Sequence, residues 1–247
     1  MNATLKLIEK QIAMSDIRNR LEETAPQPGR YVTEDGVAFG PCLLISRECG
    51  SGGSLLGQRV GERLGWNVFD ARIVDEIAQL ANVHQRLVQS VDERVRSHWE
   101  RTWRDILLDD QADEKYLRHL KQVVMALAHH GNVVFVGRGA QFLLPSQCAL
   151  RVRLVAPLET RIHRLTERLN LSPEQARLKI KRVDTERAAF VWKIFKKDVG
   201  ATLNHDLLVN TDEINAESVT ELVLVAMERK LGVHLQPAFA EKAAPIR

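Results

Sequence analysis

Aromatic residues are scarce in this chain of 247 residues, at 5% of the composition. They are too few and too scattered to build a base-stacking platform for single-stranded nucleic acid. Cysteine is scarcer still: Cys42, Cys49 and Cys148 are the three present, they show no metal-ligand spacing, and they cannot all pair. That excludes a disulfide framework and reads as reduced thiols in a cytoplasmic protein. No apolar run approaches the length of a membrane span. Lys6, Glu9, Lys10 and Gln11 interrupt the first apolar stretch, so it does not read as a secretory segment. The formal net charge of +3 is too slight to argue for nucleic acid, yet it is compatible with a small anionic ligand. Internal repeats and low-complexity tracts are absent from the sequence as well.

One further absence is local. Leu43-Leu44-Ile45-Ser46 is an apolar run that ends in Arg47-Glu48-Cys49-Gly50-Ser51-Gly52-Gly53-Ser54, and a helical stripe of Leu56, Val60 and Leu64 follows. This is the strand–loop–helix order of a phosphate-binding loop. Glycines let the backbone approach an anion, and the free N–H groups of the helix start point at it. The usual form of such a loop carries Lys after its last Gly, with a hydroxyl beside it. Here the Lys position holds Gly53. The backbone of Gly50, Ser51, Gly52, Gly53 and Ser54 is therefore expected to cradle phosphate, with Ser51 or Ser54 placed to reach a magnesium ion or a phosphate oxygen.

What is present is an alternation of short apolar runs and amphipathic helices. The runs Cys42–Ser46, Asn67–Phe69, Val133–Val136, Leu150–Val155 and Leu207–Val209 predict five strands. The pattern argues for an α/β fold with a parallel sheet flanked by helices. Residues 1–40 read as an N-terminal helix and linker, the helix over 3–22 with Leu5, Ile8, Ile12, Ile17 and Leu21 on one face and a break at Ala25–Gly29. That helix either packs on its own domain or serves as a homodimer contact. The core domain is expected over 41–233, with a helical insertion at about 73–130 that contains Trp99 and Trp103, a basic lid at about 171–198, and a tail over 234–247. Ser172-Pro173-Glu174 marks the start of the lid helix.

In parallel sheets ligands bind beyond the carboxyl ends of the strands. The polar residues there are the glycine loop, Asp70 and Arg72, Gly137-Arg138-Gly139, the helix carrying Arg161, Arg164 and Arg168, and Asn210-Thr211-Asp212. A guanidinium at Arg138 suits bidentate phosphate recognition. On the lid, Lys181, Arg182, Asp184 and Arg187 lie close in sequence, and Asp184 and Arg187 share a helix face. Cations on a lid suit phosphoryl transfer, which depends on positioning and on neutralising charge. His129-His130 and His205-Asp206 lack carboxylates at ligand spacing and read as structural.

Taken in order, these segments resemble the cytidylate kinase-like family, a branch of the P-loop nucleoside monophosphate kinases, over about residues 41–232. The matching pieces are Ile45–Gly53, Asn67-Val68-Phe69-Asp70, Val136–Gly139, Asp184 with Arg187, and Asn210-Thr211-Asp212. The resemblance implies transfer of the γ-phosphoryl of ATP, with Mg, to a pyrimidine monophosphate such as CMP or dCMP. It implies that Asp70, Arg138, Asp184 and Arg187 bind the acceptor and that Gly50–Ser54 hold the donor; from the anion-facing motifs at the sheet edge, Arg161 or Arg164 is expected at the transferring group, with Arg138 and Arg187 assisting. Relative to true cytidylate kinases, Gly53, Leu55 and Val136 stand where a Lys, a hydroxyl residue and an acidic residue are expected. These departures frame the alternative, a regulatory protein that binds nucleotide without turning it over.

Overall fold

The computed structural model describes residues 3–22, 30–34, 36–91 and 111–233. The expected linker at 25–29, Trp99, Trp103 and the tail from 234 lie outside the described residues. Five strands form one parallel sheet: β3 (Cys42–Arg47), β4 (Asn67–Asp70), β5 (Val133–Val136), β6 (Ala149–Val155) and β7 (Leu207–Asn210), in the spatial order β4-β5-β3-β6-β7. The central strand β3 pairs Cys42 with Val133 on one side and with Ala149 on the other. A short antiparallel pair, β1 (Tyr31–Val32) and β2 (Ala38–Phe39), precedes the sheet. The five expected strands are thus all present, and each observed bound lies within one residue of its expected position.

The sheet is buried on both faces because alternate residues of each strand feed two cores. Cys42, Leu44, Phe69, Val133 and Phe135 pack into one core. Four helices cover it: α1 (Ala3–Glu22), α3 (Ala71–Gln79), α4 (Ala81–Gln89) and α5 (Gln111–His130). Leu43, Ile45, Val134, Val136, Val152 and Leu154 pack into the other, under α2 (Gly53–Leu64) and α8 (Ala216–Leu231). The described part of the 73–130 segment therefore packs, with α1, as the layer over this face, with Ile77, Leu87, Leu120, Val124 and Leu127 in the same core as the strands. The remaining helices, α6 (Leu158–Leu169) and α7 (Pro173–Phe195), pair with each other through Ile162, Leu165, Ala176 and Ile180. Helix α7 is the expected lid helix, started by a reciprocal capping box between Ser172 and Gln175 with Pro173 in its first turn.

Helix α1 buries the expected face only in part: Ile8 is buried, and Leu5 and Ile12 are partly buried against the core. Thr4, Ile8, Gln11 and Ser15 are buried, whereas Ile17 is 60% exposed. The reason is polar: the Gln11 amide donates to the Gly131 carbonyl at 2.6 Å, and Asn67 donates to Gln11 Oε1 at 2.6 Å. An apolar residue at position 11 would take both bonds away. The adjacent histidines are structural, as expected: His129 Nδ1 lies 2.7 Å from the Ala38 carbonyl and His130 Nε2 lies 2.8 Å from Ser90 Oγ. Among the described residues no helix is long and apolar enough to cross a membrane, and no cluster of His, Cys, Asp and Glu could hold a metal ion.

Replacing Gln11 with Leu is expected to cost about 1–3 kcal/mol of stability, the range for stranding buried polar groups. Urea denaturation checks this, with nucleotide affinity at the opposite edge of the sheet unchanged.

Candidate functional site

The carboxyl ends of all five parallel strands open on one edge of the sheet, and the site is built there. At the end of β3 the chain turns through Gly50 and Gly52, whose φ angles of 87° and 91° are left-handed, and enters α2. No side chain caps α2. The N–H groups of its first turn, which have no partner within the helix, are left for an anion. The loop is braced from below. Ser51 is buried and its hydroxyl donates to the carbonyls of Glu48 and Leu154, at 3.0 and 3.1 Å. Thr211, at the end of β7, donates to the Ser51 carbonyl at 3.1 Å. The hydroxyl of Ser51 is therefore turned into the fold rather than toward a phosphate or a metal, and of the two serines only Ser54 is exposed.

Arg47, the last residue of β3, dominates the space above the loop. A Cβ on Gly53 would lie 2.7 Å from both Cβ and Cγ of Arg47. A Cβ on Gly137, whose φ is 92°, would overlap Nη1 of Arg47. The side chain thus runs through a slot between two glycines. Its Nε is buried without a hydrogen-bond partner. Burial, with Arg187 and Arg138 nearby and Asp70 in opposition, lowers the guanidinium pKa to about 10, so it remains charged at neutral pH.

Beyond Arg47 lies a cavity of about 230 Å³, lined by Arg47, Arg138, Arg187, Glu186 and Phe190 among others. Arg138 itself has a left-handed φ of 57°, between Gly137 and Gly139. Its guanidinium makes a bidentate pair with Asp75 of α3, the Nε bond being 2.7 Å, and lies 4.8 Å over the Phe190 ring. Asp75 also accepts from the Tyr116 hydroxyl of α5 at 2.7 Å. Two of the five N–H bonds of Arg138 are spent on Asp75, which fixes the plane of the fork and leaves its other N–H groups for an anion.

On the other side of the loop, α6 and α7 meet it through Asp184. The Asp184 carboxylate accepts the Cys49 N–H at 2.7 Å and pairs with Arg161 at 2.6 Å. Arg187 lies 3.7 Å from the same carboxylate and donates to the Arg47 carbonyl at 3.3 Å. Arg161 is largely buried and also donates to the Ala156 carbonyl, so it serves as a strut between lid and loop. Arg164 donates to Thr211 Oγ1 at 3.0 Å. It lines a second, larger cavity of about 510 Å³ with Gly50, Ser51, Gly52, Leu55, Ile214 and Val219. Ser54 and Asp70 line a third, of about 140 Å³.

The residues singled out from the sequence are therefore divided. Arg138 and Arg187 share the cavity of about 230 Å³. Gly50, Ser51, Gly52 and Arg164 border the large cavity, and Ser54 and Asp70 the small one. Arg161 and Asp184 tie the lid to the loop. Asp75, Phe190 and Tyr116 were not singled out. A sequence signal exists only for Phe190, three residues after Arg187 and so on the same helix face.

Substituting Asp184 with Ala is expected to destabilise the fold by about 1.5–3 kcal/mol, the range for hydrogen bonds to charged groups. Denaturant titration reads the loss, and hydrogen exchange should show the Cys49 amide losing its protection.

Comparison with known proteins agrees with this geometry. The cytidylate kinase-like family model matches residues 43–213. The chain is similar to the cytidylate kinase of Pyrococcus horikoshii, at 24% identity over 195 residues that cover 79% of this chain and 90% of that one. It is also similar to a segment of the uronate isomerase of Corynebacterium glutamicum, at 26% identity over 125 residues, or 51% of this chain, and it spans only 24% of that enzyme's length. Among solved structures, an uncharacterised protein of Eubacterium ventriosum shares the fold with a TM-score of 0.54 at 16% identity, over 76% of this chain and 98% of that one. With the parallel sheet, the loop at the end of β3 and a family match that takes in the glycine loop, Arg138 and the lid pair, this chain belongs to the cytidylate kinase-like family.

Proposed function

We propose that this protein is a nucleoside monophosphate kinase that transfers the γ-phosphoryl of ATP to a pyrimidine monophosphate such as CMP or dCMP. The observation that carries the reading is the presence of two separate cavities at one sheet edge, one bordered by the uncapped, glycine-lined loop and one by Arg47 at the strand end that leads into it. The large one is bordered by the loop and is mostly apolar, with Leu55, Ile214 and Val219 suited to the base of the donor nucleotide. The smaller one is lined by Arg47, Arg138 and Arg187 and suits the phosphate of an acceptor.

In this reading the loop amides hold the donor phosphates, and Arg138, oriented by Asp75, holds the acceptor phosphate against the Phe190 ring. Asp184 and Arg161 keep the lid closed on the loop, which excludes water that would otherwise take the phosphoryl group. The acceptor is already ionised, so its oxygen attacks without a general base. Mg²⁺ fits the edge where Ser54 and Asp70 share a cavity, since that ion is commonly held by one or two carboxylates together with substrate phosphates. When bound it would neutralise phosphate charge. Ser51, with its hydroxyl turned inward, has no part in that contact.

Gly53 motivates a second reading, a regulatory protein that binds nucleotide without turnover. The two are separated by a diphosphate-release assay with ATP, magnesium and CMP, dCMP, UMP and AMP in parallel. Turnover is expected with CMP or dCMP, and Arg138→Ala is expected to lower kcat/KM by about 10²-fold or more, as for loss of a charged contact in a water-excluded site. Saturable binding with no turnover of any acceptor would contradict the kinase reading and favour the regulatory one.

A further inference from the structure

Gly53 is the feature of this loop that the kinase reading leaves unexplained. Its φ is not left-handed, and it is the first residue of α2, so nothing in the backbone demands glycine there. What demands it is Arg47. A Cβ at position 53 would meet the stem of Arg47 at Cβ and Cγ, atoms close to the backbone that cannot swing away. Any side chain at 53, a lysine included, competes with Arg47 for the same volume. At the other end of the slot, Nη1 of Arg47 occupies the place a Cβ on Gly137 would take, at a residue whose left-handed φ of 92° already favours glycine. Arg47 thus accounts for the glycine at 53 and fills the space beside the glycine at 137.

The position of that arginine is also functional. Its stem lies on the loop, while its guanidinium lies at the mouth of the cavity shared with Arg138 and Arg187. Its Nε is buried without a hydrogen-bond partner, an open donor in a place where water is scarce. Asp70 is the nearby anion that acts on it, and Glu186 lines the same cavity.

We propose that Arg47 takes the place of the missing loop lysine, its guanidinium being the cation that neutralises the phosphoryl group as it passes between the donor loop and the acceptor cavity. This rests on the kinase reading above. In the step itself, an acceptor phosphate oxygen forms a bond to the γ-phosphorus while the bond from that phosphorus to the β–γ bridging oxygen breaks. The electron pair leaves with the bridging oxygen of ADP. Arg47 transfers nothing; it offsets the charge that gathers on the equatorial and leaving oxygens. A guanidinium suits this because its planar fork can bond two oxygens at once.

The test is an exchange of the two positions in the full chain. Arg47→Gln keeps much of the stem and removes the charge. Gly53→Lys restores the usual residue in the presence of Arg47, and Arg47→Gly with Gly53→Lys restores it with the slot emptied, Arg47→Gly alone serving as its reference. Diphosphate formation, MgATP affinity by calorimetry and thermal stability are read for each. Arg47→Gln is expected to lower kcat by about 10²–10³-fold, the loss typical of one preorganised donor, and to weaken MgATP binding by about tenfold. Gly53→Lys alone is expected to lower the melting temperature and to give no gain in rate. The double variant is expected to recover at least about tenfold in kcat over Arg47→Gly alone. Arg47→Gln with wild-type kcat and MgATP affinity would overturn the proposal, as would Gly53→Lys turning over faster than the wild type. If the wild type turns over no acceptor, the kinase reading fails on its own. The assignment of Arg47 as the loop's cation is then decided by calorimetry: weaker MgATP binding in Arg47→Gln supports it, and equal binding overturns it.

Discussion

Arg47 leaves the central strand at the point where the chain turns into the glycine loop, and its side chain needs the volume that residues 53 and 137 leave vacant. That packing constraint organises the site. It sets the identity of the first residue of α2, it fixes the approach of the β5 turn, and it brings a guanidinium beside Arg138 and Arg187. Three arginines around one small cavity repel one another, and burial already pulls Arg47 down to about 10. Asp70 and Asp75 offset part of this, the latter through its bidentate pair with Arg138. In the kinase reading, an incoming phosphate would offset the rest.

The lid depends on a second carboxylate. Asp184 accepts the Cys49 N–H and faces both Arg161 and Arg187, so one side chain joins α7, α6 and the loop. The apolar contact behind it is small, with Ile162, Leu165, Ala176 and Ile180 packed beside Cys49 and Leu171. A lid held by a few polar bonds over a small apolar cluster can open at low cost. The kinase reading proposed above, with two nucleotides admitted and two released, calls for that property.

Much of this architecture was legible in the sequence, for physical reasons. Strands buried on both faces read as short apolar runs, and all five were recognisable. The glycine loop was recognisable because left-handed turns at Gly50 and Gly52 require that residue. The buried face of α1 was legible only in part. Gln11 and Ser15 are buried there because Gln11 bonds the Gly131 carbonyl and Asn67, partners that no periodicity reveals. Asp75 was overlooked for the same reason: its value lies in a pair with Arg138, far away in the chain. Ser51 was read as a ligand because hydroxyls in such loops often are, and only the structure shows its bonds to Glu48 and Leu154. Gly53 was read as a loss, whereas its contact with Arg47 makes it one half of an exchange.

The most direct measurement is a crystal structure of the protein with ADP, magnesium, aluminium fluoride and CMP, a mimic of the transferring phosphoryl group. Arg47 is predicted to place a guanidinium nitrogen about 2.7–3.2 Å from a fluoride, within hydrogen-bond distance, while its stem still covers Gly53. A complex in which Arg47 points away from the fluoride, and a lid lysine such as Lys179 or Lys181 takes that position, would contradict its role as the loop's cation.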